Sequence, residues 1–406
     1  MVSFKKNTNS PSLSFTNTNG KGFLFKCDLI FYFAIFWPFL ATIVYDISSL
    51  NLVPINYFAG LFLLIISMHD LKIYKPLEAI LFCSALYIIL LVFVKMTVGS
   101  YDFVNILKLL SNLGIAAYFI KFSLPGFKLF AFILSIVVFL SYYIMIFFSE
   151  IILGGVPIGF SYHDSGLFIV ILWTMLILKS ERHYDLNLNL LFLFLVLFLI
   201  GRTQIIMALF IFLFALWPIF KNQTILAKSI TALLIIPLPL SLLLFPNQVL
   251  DLLSNIYVLK DLMDRGVSLV TEDVGANIFD ENLRLFVWNC YVINFDYLTF
   301  IFGHDETINE CVRNTWDSAY STPILQYENS FIRLNQESGI AASIYILLFF
   351  ISSIFAFLKK DFFLLGLLLL FAIRAFTGDI FFFYYKDYIL FILFTYAIYE
   401  NKKVYN

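Results

Sequence analysis

The sequence predicts an all-α polytopic membrane protein with about twelve transmembrane helices and one large, partly helical loop. Of its 406 residues, 61% are hydrophobic and only 13% are charged, whereas a soluble domain is about 45–50% apolar and about 25% charged. The mean hydropathy is +0.91, so lipid has to be the main solvent. The apolar residues form continuous runs, such as 190–200, which are typical of helical spans rather than of the alternating strands of a β-barrel.

Twelve apolar segments account for most of the chain outside the loop. A transmembrane helix needs roughly 20 residues, and most of these segments approach that length. They are residues 29–45, 52–68, 77–94, 103–120, 127–148, 165–178, 186–200, 203–220, 225–245, 340–358, 361–376 and 380–399. The chain therefore divides into a transmembrane bundle at 1–245, a loop at 246–339 and C-terminal transmembrane helices at 340–406. The fourth segment is unusual because it carries Lys108 and Asn112.

The positions of lysine and arginine predict the orientation of the chain. Cytoplasmic loops of membrane proteins carry an excess of these residues. With the N-terminus in the cytoplasm, 16 of the 26 lysines and arginines fall in cytoplasmic segments, 5 at the short outer connections and 5 in the long loop. Both termini are therefore predicted to be cytoplasmic. Residues 1–28 are polar, so we expect no signal peptide.

The long loop differs in composition from the rest of the chain. It holds 14 acidic and 5 basic residues, and this charge argues against nucleic acid as a partner. Residues 249–263 place their apolar side chains on one face, which predicts a helix that lies on the outer membrane surface or covers a cavity. Cys290 and Cys311 both fall in the loop. An oxidising compartment permits a disulfide there, but the sequence alone leaves the pairing open.

Arg202 is an ionisable candidate at the outer side of the predicted bundle. Segment 186–200 forms about 22 Å of helix, whereas the hydrocarbon core is about 30 Å thick. The following turn therefore lies below the membrane surface and carries Arg202 with it. A cation at that depth is costly and is a functional candidate by default. The alternative is an arginine whose side chain extends to the headgroups.

Two further candidates lie in the loop. Arg284 and Trp288 are spaced i, i+4, so they share one helix face, where the arginine can bind a phosphate and the indole can pack on a sugar or an isoprenyl chain. An ordinary amphipathic helix is the alternative. Glu328, beside Asn329, precedes the tenth span. A partly desolvated carboxylate there can act as a general base, and a solvated loop glutamate is the alternative.

Metal and nucleotide chemistry have no sequence signal. The four histidines lack metal-binding spacing, and the chain has no phosphate-binding loop of the GxxxxGK[ST] type. We therefore expect no metal and no cofactor.

The order of these features resembles the O-antigen polymerase and O-antigen ligase superfamily of bacterial inner-membrane proteins. Four stretches look like its GxFxNPNxLG, SRT, RxxxW…G and HNxxL…ExG motifs and cover about residues 150–350. The stretches are GFSYHDSGL at 159–167, Gly201-Arg202-Thr203, Arg284-x-x-x-Trp288 with Phe302-Gly303, and Glu328-Asn329-Ser330-Phe331 with Glu337-Ser338-Gly339-Ile340. His163 and Asp164 depart from the usual Asn-Pro. Glu328 stands where the ligases carry histidine, which is their proposed base.

The resemblance implies a glycosyltransferase C-type architecture in the bacterial cell inner membrane. It further implies a polymerase that joins undecaprenyl-pyrophosphate-linked oligosaccharides, as donor and acceptor, into O-antigen or a related surface polysaccharide at the periplasmic face. Membrane lipid and a chain-length regulator protein are the other partners implied. Because Glu328 replaces histidine, a ligase of the same superfamily is the weaker alternative. A non-enzymatic polysaccharide flippase or transporter is the second alternative.

The candidate residues take distinct roles in such a reaction. The pyrophosphate is already a leaving group, and arginines can supply the compensating charge without a metal. We assign Arg202 and Arg284 to the pyrophosphate and Glu328 to the attacking sugar hydroxyl. The predicted substrate-binding residues are Trp288, Asn329, His163, Arg265, Arg313, Arg333 and His304.

Overall fold

A computed structural model provides the architecture. It describes residues 18–48, 50, 52–68, 75–98, 103–152, 162–179, 186–199, 202–221, 286–303, 306–320, 329–376 and 386–399. Within these ranges the chain consists of helices joined by short turns, and no strand occurs in them. The all-α class predicted from the apolar runs is confirmed for this part of the chain.

Eight of the helices that the structure describes precede the long loop. They are α1 (Thr18–Ser48), α2 (Pro54–Met68), α3 (Lys75–Val98), α4 (Phe103–Lys121), α5 (Phe127–Ile152), α6 (Tyr162–Lys179), α7 (Leu186–Phe198) and α8 (Arg202–Lys221). Four more of the described helices lie within the loop: α9 (residues 286–294), α10 (Tyr297–Phe302), α11 (Glu306–Tyr320) and α12 (Ser330–Ser338). Three follow it: α13 (Ala342–Leu358), α14 (Phe362–Phe376) and α15 (Tyr388–Tyr399). A single 3₁₀ turn, Gly339–Ala341, joins α12 to α13.

Each predicted span except the ninth overlaps a helix. The ninth, 225–245, and the predicted surface helix at 249–263 lie outside the described residues. Among the described residues, four helical stretches are long and apolar enough to cross a membrane: Glu78–Thr97, Phe103–Lys121, Phe127–Ile144 and Ser330–Leu358. Several other apolar helices are shorter, such as Phe362–Phe376. The count of twelve spans stays a prediction.

Helices α2 and α4 make an unusually close contact, which small residues permit. A Cβ atom added to Gly114 would lie 1.9 Å from the carbonyl oxygen of Gly60. One added to Gly60 would lie 2.0 Å from Ser111 Oγ. Ser111 Oγ itself donates to the carbonyl oxygen of Asn56 at 3.2 Å. Glycine at both positions lets the two backbones approach in the way typical of membrane helices, and this contact holds α4 against α2.

Lysines join the helices near the C-terminal end of α4. Lys179 Nζ donates to the carbonyl oxygens of Phe119 at 2.5 Å and Phe122 at 2.6 Å. Lys121 Nζ donates to the carbonyl oxygen of Ser67, in the last turn of α2, at 2.9 Å. These acceptors lie at helix C-terminal ends, where carbonyls lack intrahelical partners and the helix dipole favours a cation.

A buried carboxylate completes this region. Asp28 on α1 is 8% exposed and accepts a hydrogen bond from Tyr118 Oη at 2.7 Å. We call Asp28, Tyr118, Lys121 and Lys179 the Lys179 cluster. Its bonds connect α1, α2, α4 and α6 and therefore stabilise the packing of the bundle.

A second, smaller core lies between α9 and α11. Val287, Cys290, Ile308 and Val312 are buried together there. A disulfide joins Cys290 to Cys311, which settles the pairing that the sequence left open. The bond links α9 to α11 and therefore fixes this part of the loop as an ordered unit.

Candidate functional site

Two glycines join α10 to the C-terminal end of α12 by direct contact of main-chain atoms. Gly303 follows α10 with φ +80°, and Gly339 follows α12 with φ +54°. A Cβ atom added to Gly303 would lie 2.6 Å from the carbonyl oxygen of Asn335, and one added to Gly339 would lie 2.2 Å from that of Ile301. Both the positive φ and the close approach require glycine. This glycine joint brings together two of the motif stretches, Trp288…Gly303 and Asn329…Gly339.

Asn335 holds the same elements together through its side chain. Its Oδ1 accepts a hydrogen bond from Tyr291 Oη at 2.8 Å. Its Nδ2 donates to the carbonyl oxygens of Phe300 at 3.4 Å and Gly339 at 3.3 Å. Burial raises the pKa of Tyr291, so its hydroxyl stays protonated and donates. We call residues 286–303 and 329–341 the platform.

Arg333 on α12 is held in place by a carboxylate. Its Nε lies 2.6 Å from Glu337 Oε1 in an i, i+4 ion pair, and the two side chains are 20% and 27% exposed. Glu337 Oε2 accepts from Asn105 Nδ2 on α4 at 2.9 Å. Asn105 Oδ1 in turn accepts from Lys108 Nζ at 3.3 Å. We call these four residues the Glu337 cluster.

The Glu337 cluster fixes a guanidinium at the N-terminal end of α4. The carboxylate that orients Arg333 is tied to a different helix by Asn105, which is itself buried. Both the ion pair and the amide therefore restrict where the guanidinium points. A cation held in this way is suited to bind an oxyanion because little reorganisation is needed on binding.

More ionisable side chains are buried where α14 ends and α15 begins. Arg374 is 8% exposed, Lys386 2% and Asp387 6%. Asn112, one turn beyond Lys108 on α4, accepts a hydrogen bond from the backbone N–H of Tyr388 at 3.3 Å. Ionisable residues buried between apolar helices are rare and are often functional. The polar character of this end of α4 therefore extends to α15.

A small cavity lies among these helices. Tyr87, Leu109, Leu334, Tyr345 and Asp387 line it together with residues of α15. It has room for about one water molecule. A sugar does not fit inside it.

Four of the predicted site residues have described side chains. Asn329 is the N-cap of α12, and its Oδ1 accepts from the backbone N–H groups of Phe331 at 2.9 Å and Ile332 at 3.1 Å. Arg313 forms an exposed ion pair with Glu306 at 2.7 Å. Asn329 and Arg313 thus have structural partners. Their predicted contacts with substrate stay predictions.

Trp288 is half-buried on the platform. Its ring lies edge-on to Phe376, the last residue of α14, at 4.8 Å between centroids. Its Nε1 has no hydrogen-bond partner within the described part of the chain. The fourth such residue, Arg333, is in the Glu337 cluster.

The structure gives less about the other candidates. Arg202 is the first residue of α8 and His163 the second residue of α6, but their side chains are outside the described part. Glu328, Arg284, Arg265 and His304 lie outside the described residues. The assignment of Arg202 and Arg284 to a pyrophosphate, and of Glu328 as base, therefore stays a prediction.

The sequence-based list of site residues did not include three members of the Glu337 cluster. Glu337 occurs only within the motif-like stretch before the tenth span. Asn105 and Lys108 lie on α4, which is otherwise apolar enough to cross a membrane. The sequence does contain a signal for them, since Asn105 and Lys108 are polar residues spaced i, i+3 in an apolar helix. Such residues have to face protein rather than lipid.

Comparison with known proteins adds no identification. No family model, curated protein or solved structure matches this chain. In the described residues, no group of three or more metal-ligating side chains converges.

Proposed function

We propose that this chain is an integral membrane glycosyltransferase. It polymerises undecaprenyl-pyrophosphate-linked oligosaccharide repeat units at the periplasmic face of the bacterial inner membrane. One observation carries the proposal: Arg333, oriented by Glu337 and Asn105, lies on α12, whose C-terminal end forms the glycine joint between two motif-like stretches. A fixed guanidinium near the end of an apolar bundle fits a lipid-linked phosphate, whose isoprenyl chain has to stay in the membrane.

The reaction needs stabilisation of negative charge more than it needs a strong base. As the glycosidic bond to the pyrophosphate breaks, charge develops on the leaving group, and cations that bind this charge accelerate the step. We assign this task to Arg202 and Arg284, with Arg333 as a third cation. Glu328 accepts the proton from the attacking sugar hydroxyl late in the transfer. Asn329, the N-cap that follows Glu328 in the chain, fixes the start of α12 next to it.

The disulfide supports the proposed orientation. Disulfides persist in the periplasm and other oxidising compartments and are rare in the cytoplasm. Cys290 and Cys311 both lie in the predicted periplasmic loop, whereas the cysteines outside it, Cys27 and Cys83, are free. Together with the lysine and arginine bias, this pattern supports a periplasmic platform and cytoplasmic termini.

The test is a gel of surface polysaccharide from cells that lack this chain. Single repeat units on the lipid carrier would support a polymerase. Long lipid-linked chains with no glycan on lipid A-core would instead indicate a ligase, and repeat units retained at the cytoplasmic face would indicate a flippase.

The same cells provide a test of the arginine assignment. We expect Arg202→Ala to leave the chain in the membrane at normal amount and to form no polymer. Arg202→Lys should recover little, because a point charge does not reproduce a bidentate contact. Full activity of the alanine variant would remove Arg202 from the mechanism.

A further inference from the structure

Residues 286–300 expose large apolar side chains although they lie outside every predicted span. The exposed side chains include Phe286, Val292, Ile293, Tyr297, Leu298 and Phe300. Ile293 is 79% exposed and Tyr297 is 71% exposed. An apolar row of this kind on a soluble surface marks a binding surface.

The two sides of α9 have different surroundings. Val287 and Cys290 face the second core with α11 and are buried. Phe286 and Ile293, which are spaced i, i+7, lie on another face and are exposed. The apolar row is thus not a poorly packed core, because the core of this unit is already formed by Val287, Cys290 and the residues of α11 that pack on them.

We propose that residues 286–300 lie in the outer boundary of the lipid bilayer, with their exposed apolar side chains against acyl chains. The proposal rests on the membrane location proposed above. It adds that part of the loop is a membrane-surface element, which holds the platform at the level of the lipid headgroups.

Continuity with α3 identifies lipid as the occupant. α10 contacts α3, and so does the turn at 339–341. Only residues 99–102 separate α3 from α4, and Asn105, near the start of α4, contacts Glu337. The C-terminal end of α3 therefore lies close to the platform. That end exposes Phe93 and Met96, on a helix long and apolar enough to cross a membrane.

Charge sets the depth of the segment. Asp296 is the only charged residue between 286 and 303. Hydrogen bonds from the backbone N–H and the side chain of Thr299 lower the pKa of Asp296, so it is ionised at neutral pH. A carboxylate is costly in hydrocarbon, which limits the segment to the headgroup boundary, about 5–10 Å deep as for other interfacial helices. Without lysine or arginine, the segment has no attraction to anionic lipids.

Fluorescence quenching in liposomes tests the proposal. The purified full-length chain, with Cys27→Ala and Cys83→Ala and its disulfide intact, receives one labelled cysteine at Ile293→Cys or Leu298→Cys. The liposomes contain only phosphatidylcholine and nitroxide-labelled phosphatidylcholine, and iodide is the aqueous quencher. We expect shallow nitroxides to remove most of the fluorescence at both positions and iodide to remove little.

Two matched positions make the outcome decisive. Glu310→Cys, on the exposed face of the disulfide-linked α11, should be quenched by iodide and not by lipid. Phe93→Cys, on α3, should be quenched by lipid. If iodide quenches the label at Ile293→Cys and Leu298→Cys while lipid quenches it at Phe93→Cys, the proposed position of residues 286–300 is overturned and the membrane location is not. Iodide quenching at Phe93→Cys would overturn the membrane location as well. Protection of the segment from both quenchers would mean that protein covers it, and would also overturn the proposal.

Discussion

The two ends of α4 hold their cations in different ways. In the Lys179 cluster, Lys179 and Lys121 donate to backbone carbonyl oxygens of neighbouring helices. In the Glu337 cluster, Arg333 and Lys108 are held by the side chains of Glu337 and Asn105. The carbonyl acceptors belong to the main chain of packed helices, whereas Arg333 and Glu337 are partly exposed side chains. The first arrangement therefore stabilises the fold, and the second holds a guanidinium where a ligand can contact it.

The exposure of the acidic groups follows the same division. Asp28 is 8% exposed and bonded to Tyr118, whereas the Glu337 side chain is 27% exposed. A ligand can reach the Glu337 cluster without unpacking the bundle. We therefore expect substitutions at one end to change activity and substitutions at the other end to change stability.

The largest expected effect is that of Arg333→Ala. If Arg333 stabilises the charge that develops on the leaving group, polymer formation should fall by about 10²–10³-fold, as it does when one preorganised donor is removed. The amount of chain in the membrane should not change. The measurement is the rate of polymer formation by purified chain with lipid-linked repeat units.

Glu306→Gln is the control for this variant. Glu306 also takes part in an ion pair, with Arg313, but an exposed one, which is worth about 0–1 kcal/mol. Its loss should leave the rate close to that of the unmodified chain. Equal losses in the two variants would show that the ion pair of Arg333 has no special role.

The next effect concerns the platform that carries the Glu337 cluster. Cys290→Ser opens the disulfide, whose cysteines are 21 residues apart, and should destabilise the α9–α11 unit by about 3 kcal/mol. Hydrogen exchange of residues 286–303 should become faster, while that of α4 should not. The free Cys83 provides the control, since Cys83→Ser should leave exchange unchanged. If hydrogen exchange of residues 286–303 stays slow in Cys290→Ser, packing without the disulfide is enough to hold the platform.

A smaller effect is expected at the opposite end. Lys179→Met removes two charged hydrogen bonds while keeping the length of the side chain, and should destabilise the bundle by about 2 kcal/mol. The midpoint of thermal unfolding in detergent should fall, but the rate per folded molecule should be retained. Lys26→Met, at an exposed position on α1, should leave the midpoint unchanged. A loss of rate without a loss of stability would contradict the division between the two ends.

The smallest effect is that of Glu337→Gln. The amide keeps the shape of the side chain but loses the charge that orients Arg333, so the rate should fall about tenfold, equal to about 1.4 kcal/mol. Because the residue acts through Arg333, the double variant with Arg333→Ala should be no slower than Arg333→Ala alone. Additive losses would mean that Glu337 has a role of its own.

The sequence predicts the helices better than it predicts the site. In lipid, a long apolar run can satisfy its backbone hydrogen bonds only by forming a helix. The helices α3 and α4 can therefore be predicted directly from their apolar segments. The Glu337 cluster is different, because Asn105 and Glu337 are 232 residues apart. Lys108 stood out as polar in an apolar segment, but only the folded structure supplies its partners.

The disulfide and the glycine joint could not be predicted from the sequence for the same reason. Cys290 and Cys311 can pair only if α9 and α11 pack side by side. The sequences of these two helices do not predict that packing. Gly303 and Gly339 both occur in motif-like stretches, but their contact depends on how α10 meets α12. Local pattern fixes each helix, whereas the site arises from contacts between helices that are distant in the chain.

The glycine joint has a consequence for how sequences of this architecture can diverge. The contact between Gly303 and Gly339 is made by main-chain atoms. It therefore requires small residues at these two positions and does not restrict the types of the neighbouring residues. A descendant chain could replace nearly every neighbouring side chain and still dock its loop at the same place. Related chains would then lose detectable sequence similarity before α10 changed its position against α12.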